Sequence, residues 1–175
     1  IALFFLVSCD LKSTKYKDES EINKFLSEYY FTVPEKALYL KDFEYQVFNG
    51  NKENLDSNQG KIILLNFWAT WCFPCRKEMP DLEELNHLMK GEKFRILAIG
   101  VGENEERVKR FLEKYPYSFD IALDQDRKIT KSMEIAGLPT TFVIDTDGRV
   151  LGKMIGPVDW KQSPMVEFFR TISKK

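Results

Sequence analysis

Apolar positions change their spacing several times along this chain. The stretch Lys61–Phe67 is almost continuously apolar, as expected of a strand covered on both faces. Arg95–Val101 repeats the pattern and predicts a second central strand, and Phe119–Leu123 a shorter one. Thr141–Asp145 and Arg149–Ile155, joined across Asp147-Gly148, predict an antiparallel hairpin. Phe43–Phe48 alternates more loosely before the turn residues Asn49-Gly50-Asn51, which predicts a small hairpin. Between these runs the spacing becomes helical. Met79, Leu82, Leu85 and Met89 mark the inner face of a helix from Phe73 to Met89, with Pro80 expected to kink it. Val108, Phe111 and Leu112 predict a helix over Glu103–Tyr115. Arg127–Ile135 predicts another, and Asp159–Ser173 a closing helix whose first turn holds Pro164. Strands alternating with helices, then a hairpin and a helix, predict an α/β domain over 36–175 with a central mixed sheet flanked by helices.

The preceding segment reads differently. Ile1–Val7 is apolar but far short of the roughly 20 residues that span a bilayer. It matches the second half of a signal-peptide core. With Leu6-Val7-Ser8-Cys9 it resembles a bacterial lipobox, which makes Cys9 the expected lipid attachment point and residues 1–9 a truncated signal segment. Residues 10–35 are expected to form a tether: Asp10–Ser20 is polar and without apolar periodicity, while Ile22, Phe25, Leu26 and Tyr29 predict a short helix closed by Pro34.

Charge adds little. Lys and Arg number 26 against 27 Asp and Glu, so no bias points to nucleic acid or to an acidic surface. Cysteine usage changes the picture more. Three cysteines in 175 residues exclude a fold stapled by several bridges. Two of them form Cys72-Phe73-Pro74-Cys75, between a buried strand and the start of a helix. A helix N-terminus carries unpaired N–H groups and partial positive charge, and both favour a thiolate. Cys72 is therefore the candidate nucleophile and Cys75, one turn inside, the candidate resolving thiol. Pro74 fits there because an N–H would have no helical partner. The same spacing also occurs in half a zinc site or a structural disulfide. A closed zinc site needs four ligands, and Cys9 and His87 are the only other Cys or His residues. So short a disulfide loop constrains little chain. His87 reads as a surface residue among polar neighbours. No metal or cofactor is expected.

The block from Leu64 to Pro80, containing Trp68-Ala69-Thr70-Trp71-Cys72-Phe73-Pro74-Cys75, resembles the active-site block of the thioredoxin superfamily in its TlpA/ResA-like extracytoplasmic branch. Gly137-Leu138-Pro139-Thr140-Thr141-Phe142 resembles that branch's second block. The resemblance implies a thioredoxin-like fold with an N-terminal strand or hairpin extension. It also implies a cis peptide before Pro139, and a Leu138 backbone that pairs with substrate beside Cys72. Trp71 and Phe73 would flank the same groove. Glu78 resembles the acidic residue set behind the cysteines, able to take the proton of Cys75 and to tune both thiols. Asn66 departs from ordinary thioredoxins, which place a proton-accepting Asp there. Phe73 departs from the small or charged residues more usual at its position.

Motif and resemblance together predict a thiol-disulfide oxidoreductase that reduces disulfides of extracytoplasmic proteins, anchored by lipid to a bacterial membrane on its extracytoplasmic, periplasmic side and supplied with electrons by a membrane thiol carrier. The absence of a His between the cysteines favours a reductant. Two other functions fit less well. A thiol peroxidase would need Thr where Ala69 stands, three residues before Cys72, and a non-catalytic surface lipoprotein would have no use for an intact pair.

Overall fold

A computed structural model describes residues 16, 18–40, 43–48, 50–58 and 60–174. Its elements run α1 (Glu19–Glu28), β1 (Glu44–Val47), β2 (Lys52–Asn54), a 3-10 turn (Leu55–Asn58), β3 (Ile62–Trp68), α2 (Phe73–Leu88), β4 (Phe94–Val101), α3 (Glu105–Lys114), β5 (Asp120–Asp124), α4 (Lys128–Ser132), β6 (Thr140–Ile144), β7 (Val150–Ile155) and α5 (Ser163–Ile172). One seven-stranded sheet has the order β2-β1-β5-β4-β3-β6-β7. The three central strands are parallel; β6 and β7 are antiparallel on one side, and the β1–β2 hairpin is antiparallel on the other. This is the mixed sheet with flanking helices that the apolar pattern predicts, a thioredoxin-like fold with a hairpin added at one edge.

Every residue of β3 is buried, as its unbroken apolar run requires. Alternate side chains serve two cores. Ile62, Leu64 and Trp68 join the buried faces of α1, α2, α3 and α5, whereas Ile63, Leu65 and Phe67 meet Tyr45, Leu55, Phe142 and the partly buried side chains of α4. The hairpin is held to the sheet by Arg95 of β4, whose guanidinium donates to Asp120 (2.6 Å), Glu53 (3.2 Å), Tyr45 (3.2 Å) and Asn58.

Three boundaries differ from the sequence reading by two residues or more. The helix expected from Glu103 begins at Glu105, because Asn104 caps it by accepting the Arg107 N–H (2.9 Å), and Glu103 turns inward. The helix expected from Asp159 begins at Ser163, since Pro164 fits only in a first turn. The helix expected to reach Ile135 ends by Met133, where Glu134 turns left-handed (φ 49°).

The N-terminal helix is part of the domain core. Asp18 caps it through the Glu21 N–H (2.9 Å), and Ile22, Phe25 and Leu26 are buried. The Phe25 ring stacks on Phe168 of α5 at 4.3 Å between centroids. Gly152 of β7 makes room for this layer: a Cβ there would lie 3.2 Å from Phe31 Cβ and 3.3 Å from Leu26 Cδ1. The boundary expected at residue 36 therefore does not separate tether from core; the packed chain already includes Tyr16 and α1. Thr32 then forms an isolated bridge to Lys153 of β7, and Tyr39 one to Arg149, just before that strand. Cys9 and the rest of the expected signal segment lie outside the described residues. Among the described residues no helix is long and apolar enough to cross a membrane.

Candidate active site

Strand β3 ends at Trp68, and four residues later Cys72 is the N-cap of α2. Its sulfur accepts the backbone N–H of Cys75 at 3.3 Å and is bonded to the Cys75 sulfur. This N–H is the specific donor behind the support that a helix start was expected to give the first sulfur. Cys75 is fully buried and Cys72 retains 5% exposure, so Cys72 is the more accessible of the two. Trp71 and Phe73, on either side of Cys72 in the chain, are 60% and 59% exposed. Large apolar side chains so open to water suit contact with another molecule. Lys77 lies over the Phe73 ring, 4.8 Å from its centroid. The Leu138–Pro139 peptide is cis and Pro139 is buried immediately before β6.

Glu78 is 3% exposed on the inner face of α2. Its Oε1 accepts from Asn66 Nδ2 at 2.8 Å, and its Oε2 from the Val158 N–H at 3.1 Å and Trp160 Nε1 at 3.4 Å. Burial pushes its carboxyl up to about 7, although these three donors pull it back. A carboxyl titrating near neutrality can take up or release a proton under working conditions. Asn66, from β3, also donates to Thr141 Oγ1 of β6 at 2.9 Å, while its own Oδ1 has no hydrogen-bond partner among the described residues. One amide thus ties the strand before the cysteines, the helix after them and the strand after Pro139 into one polar cluster.

A second buried carboxylate was not foreseen from the sequence. Glu103 is fully buried, and its Oε1 accepts both the N–H (2.6 Å) and the hydroxyl (2.7 Å) of Thr70. Arg107 Nη1 stands 3.5 Å from Oε2, an ionic contact without hydrogen-bond alignment. Glu103 therefore holds the loop that carries Trp71 and Cys72. In Glu103-Asn104-Glu105-Glu106 nothing distinguishes the inward carboxylate from its exposed neighbours, so spacing alone could not find it. Trp160 and Val158 were missed for a similar reason: they reach Glu78 from a loop 80 residues away. His87 is exposed and pairs with Glu83 at 3.0 Å, away from this cluster in α2's last turn.

A model of the AhpC/TSA family matches residues 38–152. The chain belongs to the AhpC/TSA family. Among the relatives of this family member is thiol-disulfide oxidoreductase ResA of Bacillus cereus, 43% identical over 107 residues, which cover 61% of this chain and 62% of that protein. ResA of Bacillus thuringiensis subsp. konkukian is 38% identical over 130 residues, 73% of this chain and 75% of that one. The first match thus spans under two thirds of its relative. Among solved structures, a thiol:disulfide interchange protein of the thioredoxin family from Chlorobium tepidum superposes with a TM-score of 0.66 and 27% identity, over 81% of this chain and 97% of that one. The Cys72–Cys75 pair of this AhpC/TSA-family chain suits a redox dithiol.

Proposed function

We propose that this chain is a thiol-disulfide oxidoreductase that reduces disulfides of extracytoplasmic proteins. The observation that carries this reading is Cys72 at the N-cap of α2, bonded to Cys75 and receiving its N–H. The relatives' names support the same chemistry. In the reduced protein the Cys72 thiolate attacks one sulfur of a substrate disulfide. A mixed disulfide forms, and the other substrate sulfur leaves as a thiolate that takes a proton. Cys75 then gives up its proton and attacks the Cys72 sulfur, releasing the second substrate thiol and closing Cys72–Cys75. Two electrons pass to the substrate. Glu78 is assigned the proton of Cys75, since it is the buried carboxylate on the same helix that titrates near neutrality. Trp71, Phe73, Leu138 and Pro139 are assigned to the docking groove. A membrane thiol carrier returns the electrons, and Cys9, lipidated, holds the domain at the extracytoplasmic, periplasmic side of a membrane.

Insulin reduction tests the proposal. The reduced protein should precipitate insulin, Cys72→Ser should abolish the reaction, and Cys75→Ser should stop at a mixed disulfide. A protein beginning at Tyr16 should retain the activity, since the residues before it carry only the anchor in this reading. Hydrogen peroxide consumption without insulin reduction would overturn the assignment in favour of a thiol peroxidase.

A further inference from the structure

Arg127 takes no part in the exchange chemistry, yet its exposed side chain lines a groove beside the cysteine loop. A groove of about 260 Å³ is lined by Trp71, Val101, Thr130, Gly137, Leu138 and Arg127 among others. It lies between the residue preceding Cys72 and the residue preceding Pro139. Arg127 is the one charged residue in its lining. The guanidinium lies against the backbone of Gly102: a Cβ built on Gly102 would stand 2.6 Å from Arg127 Nε and 3.0 Å from Nη2. Glycine at 102, itself left-handed (φ 65°), is what lets the arginine settle there.

The nearby carboxylates are engaged elsewhere. Asp124 accepts from the N–H groups of Ile129 (3.1 Å) and Thr130 (2.7 Å), and Glu103 accepts from Thr70. Asp126 faces Lys128 Nζ at 3.6 Å. Among the described residues the Arg127 guanidinium makes no ion pair and no side-chain hydrogen bond. It is a fork of N–H donors with no acceptor capacity of its own, matched in shape to a carboxylate. It stands in an otherwise uncharged, largely apolar groove that opens beside the exposed Trp71.

We propose that Arg127 is a specificity residue, and that the polypeptides this protein reduces carry an Asp or Glu next to the cysteine attacked by Cys72. The proposal rests on the disulfide-exchange reading above and narrows its substrate class. Arg76 and Lys77, beside Phe73, line a separate groove with Phe111 and Tyr115 and offer a competing source of acidic preference.

Three disulfide-bonded peptides, identical except for Asp, Asn or Lys beside one cysteine, separate these possibilities. The readout is the ratio of kcat/KM between peptides for the reduced protein at low ionic strength. Wild type should favour Asp over Asn by about fivefold, the size of a partly exposed ion pair, and salt should shrink the ratio. Arg127→Gln should bring it to one, Arg127→Glu should make the Lys peptide the best, and Arg127→Lys should retain part of the Asp preference. Equal rates for all three peptides with wild type would overturn the proposal. So would an Asp preference that survives Arg127→Glu, which would move recognition to Arg76 and Lys77. Failure to reduce any of the peptides would overturn the exchange reading together with this one.

Discussion

Replacing Glu78 by Gln should make the stability of the oxidised protein less dependent on pH. Burial lifts the Glu78 carboxyl from 4.5 to about 7, and the N–H groups of Val158, Asn66 and Trp160 offset only part of that rise. Between those two values the folded protein holds a proton that the unfolded chain has already released. The unfolded state binds fewer protons there, so stability is complete below about pH 4.5 and falls as pH rises through about 7. The fall attributable to this carboxyl is about 3 kcal/mol. Gln cannot ionise, and the site can receive it. Asn66 Oδ1 lacks a partner among the described residues, so turning the Asn66 amide over lets that oxygen accept the Gln N–H. Thr141, whose hydroxyl both donates and accepts, adapts to either orientation. Urea unfolding of the two oxidised proteins across the pH range measures the difference directly, since the other groups titrate alike in both. The curves should meet near pH 4.5. They should separate as pH rises from about 4.5 and run parallel above about 7, the Gln variant there being more stable by about 3 kcal/mol. Curves that stay parallel throughout would mean that burial does not raise the Glu78 carboxyl above its unfolded value, and its proposed role as a proton acceptor for Cys75 would lose its physical basis.

Alkylation of the reduced protein at neutral pH should modify Cys72 before Cys75, as peptide mass mapping would reveal. The sulfur at the N-cap has the donor and retains some exposure, while Cys75 has none. Glu103→Ala strands the Thr70 N–H and should cost about 2 kcal/mol in urea unfolding; Glu103→Gln, which keeps one acceptor oxygen, should recover part of it. Phe25→Ala should cost about 3 kcal/mol by the same measure, because Phe25 stacks on Phe168 inside the main core. No change in that variant would return α1 to the status of a tether.

The sheet was legible because its central strands are buried on both faces and carry runs such as Ile62–Phe67 that hardly any other element would carry. The nucleophile was legible because its support is local, a helix start that follows a strand. Glu78 was visible only as a resemblance. Its burial depends on Val158 and Trp160, which arrive from a loop that periodicity cannot place. Glu103 gave no signal, since an inward carboxylate and an N-terminal helix charge look alike in sequence. The role of α1 was underestimated because its apolar face covers only three buried positions, Ile22, Phe25 and Leu26. Their partner, α5, lies at the other end of the chain.

The bridges from Thr32 to Lys153 of β7 and from Tyr39 to Arg149, just before that strand, bear on how copies of this protein keep apart. An outermost strand with free N–H and C=O groups is a template on which another chain can add a strand. Here the Thr32 N–H donates to Lys153 at 2.8 Å and the Lys153 N–H returns to Thr32 at 2.9 Å, while the Val150 N–H is taken by Leu38 at 2.8 Å. The opposite margin ends in β2, three residues long and carrying Lys52 and Glu53. The segment between α1 and the hairpin thus acts as a selvedge. A proteolytic cut that released it would open β7, with Met154 and the half-exposed Ile155, to growth by addition of further chains.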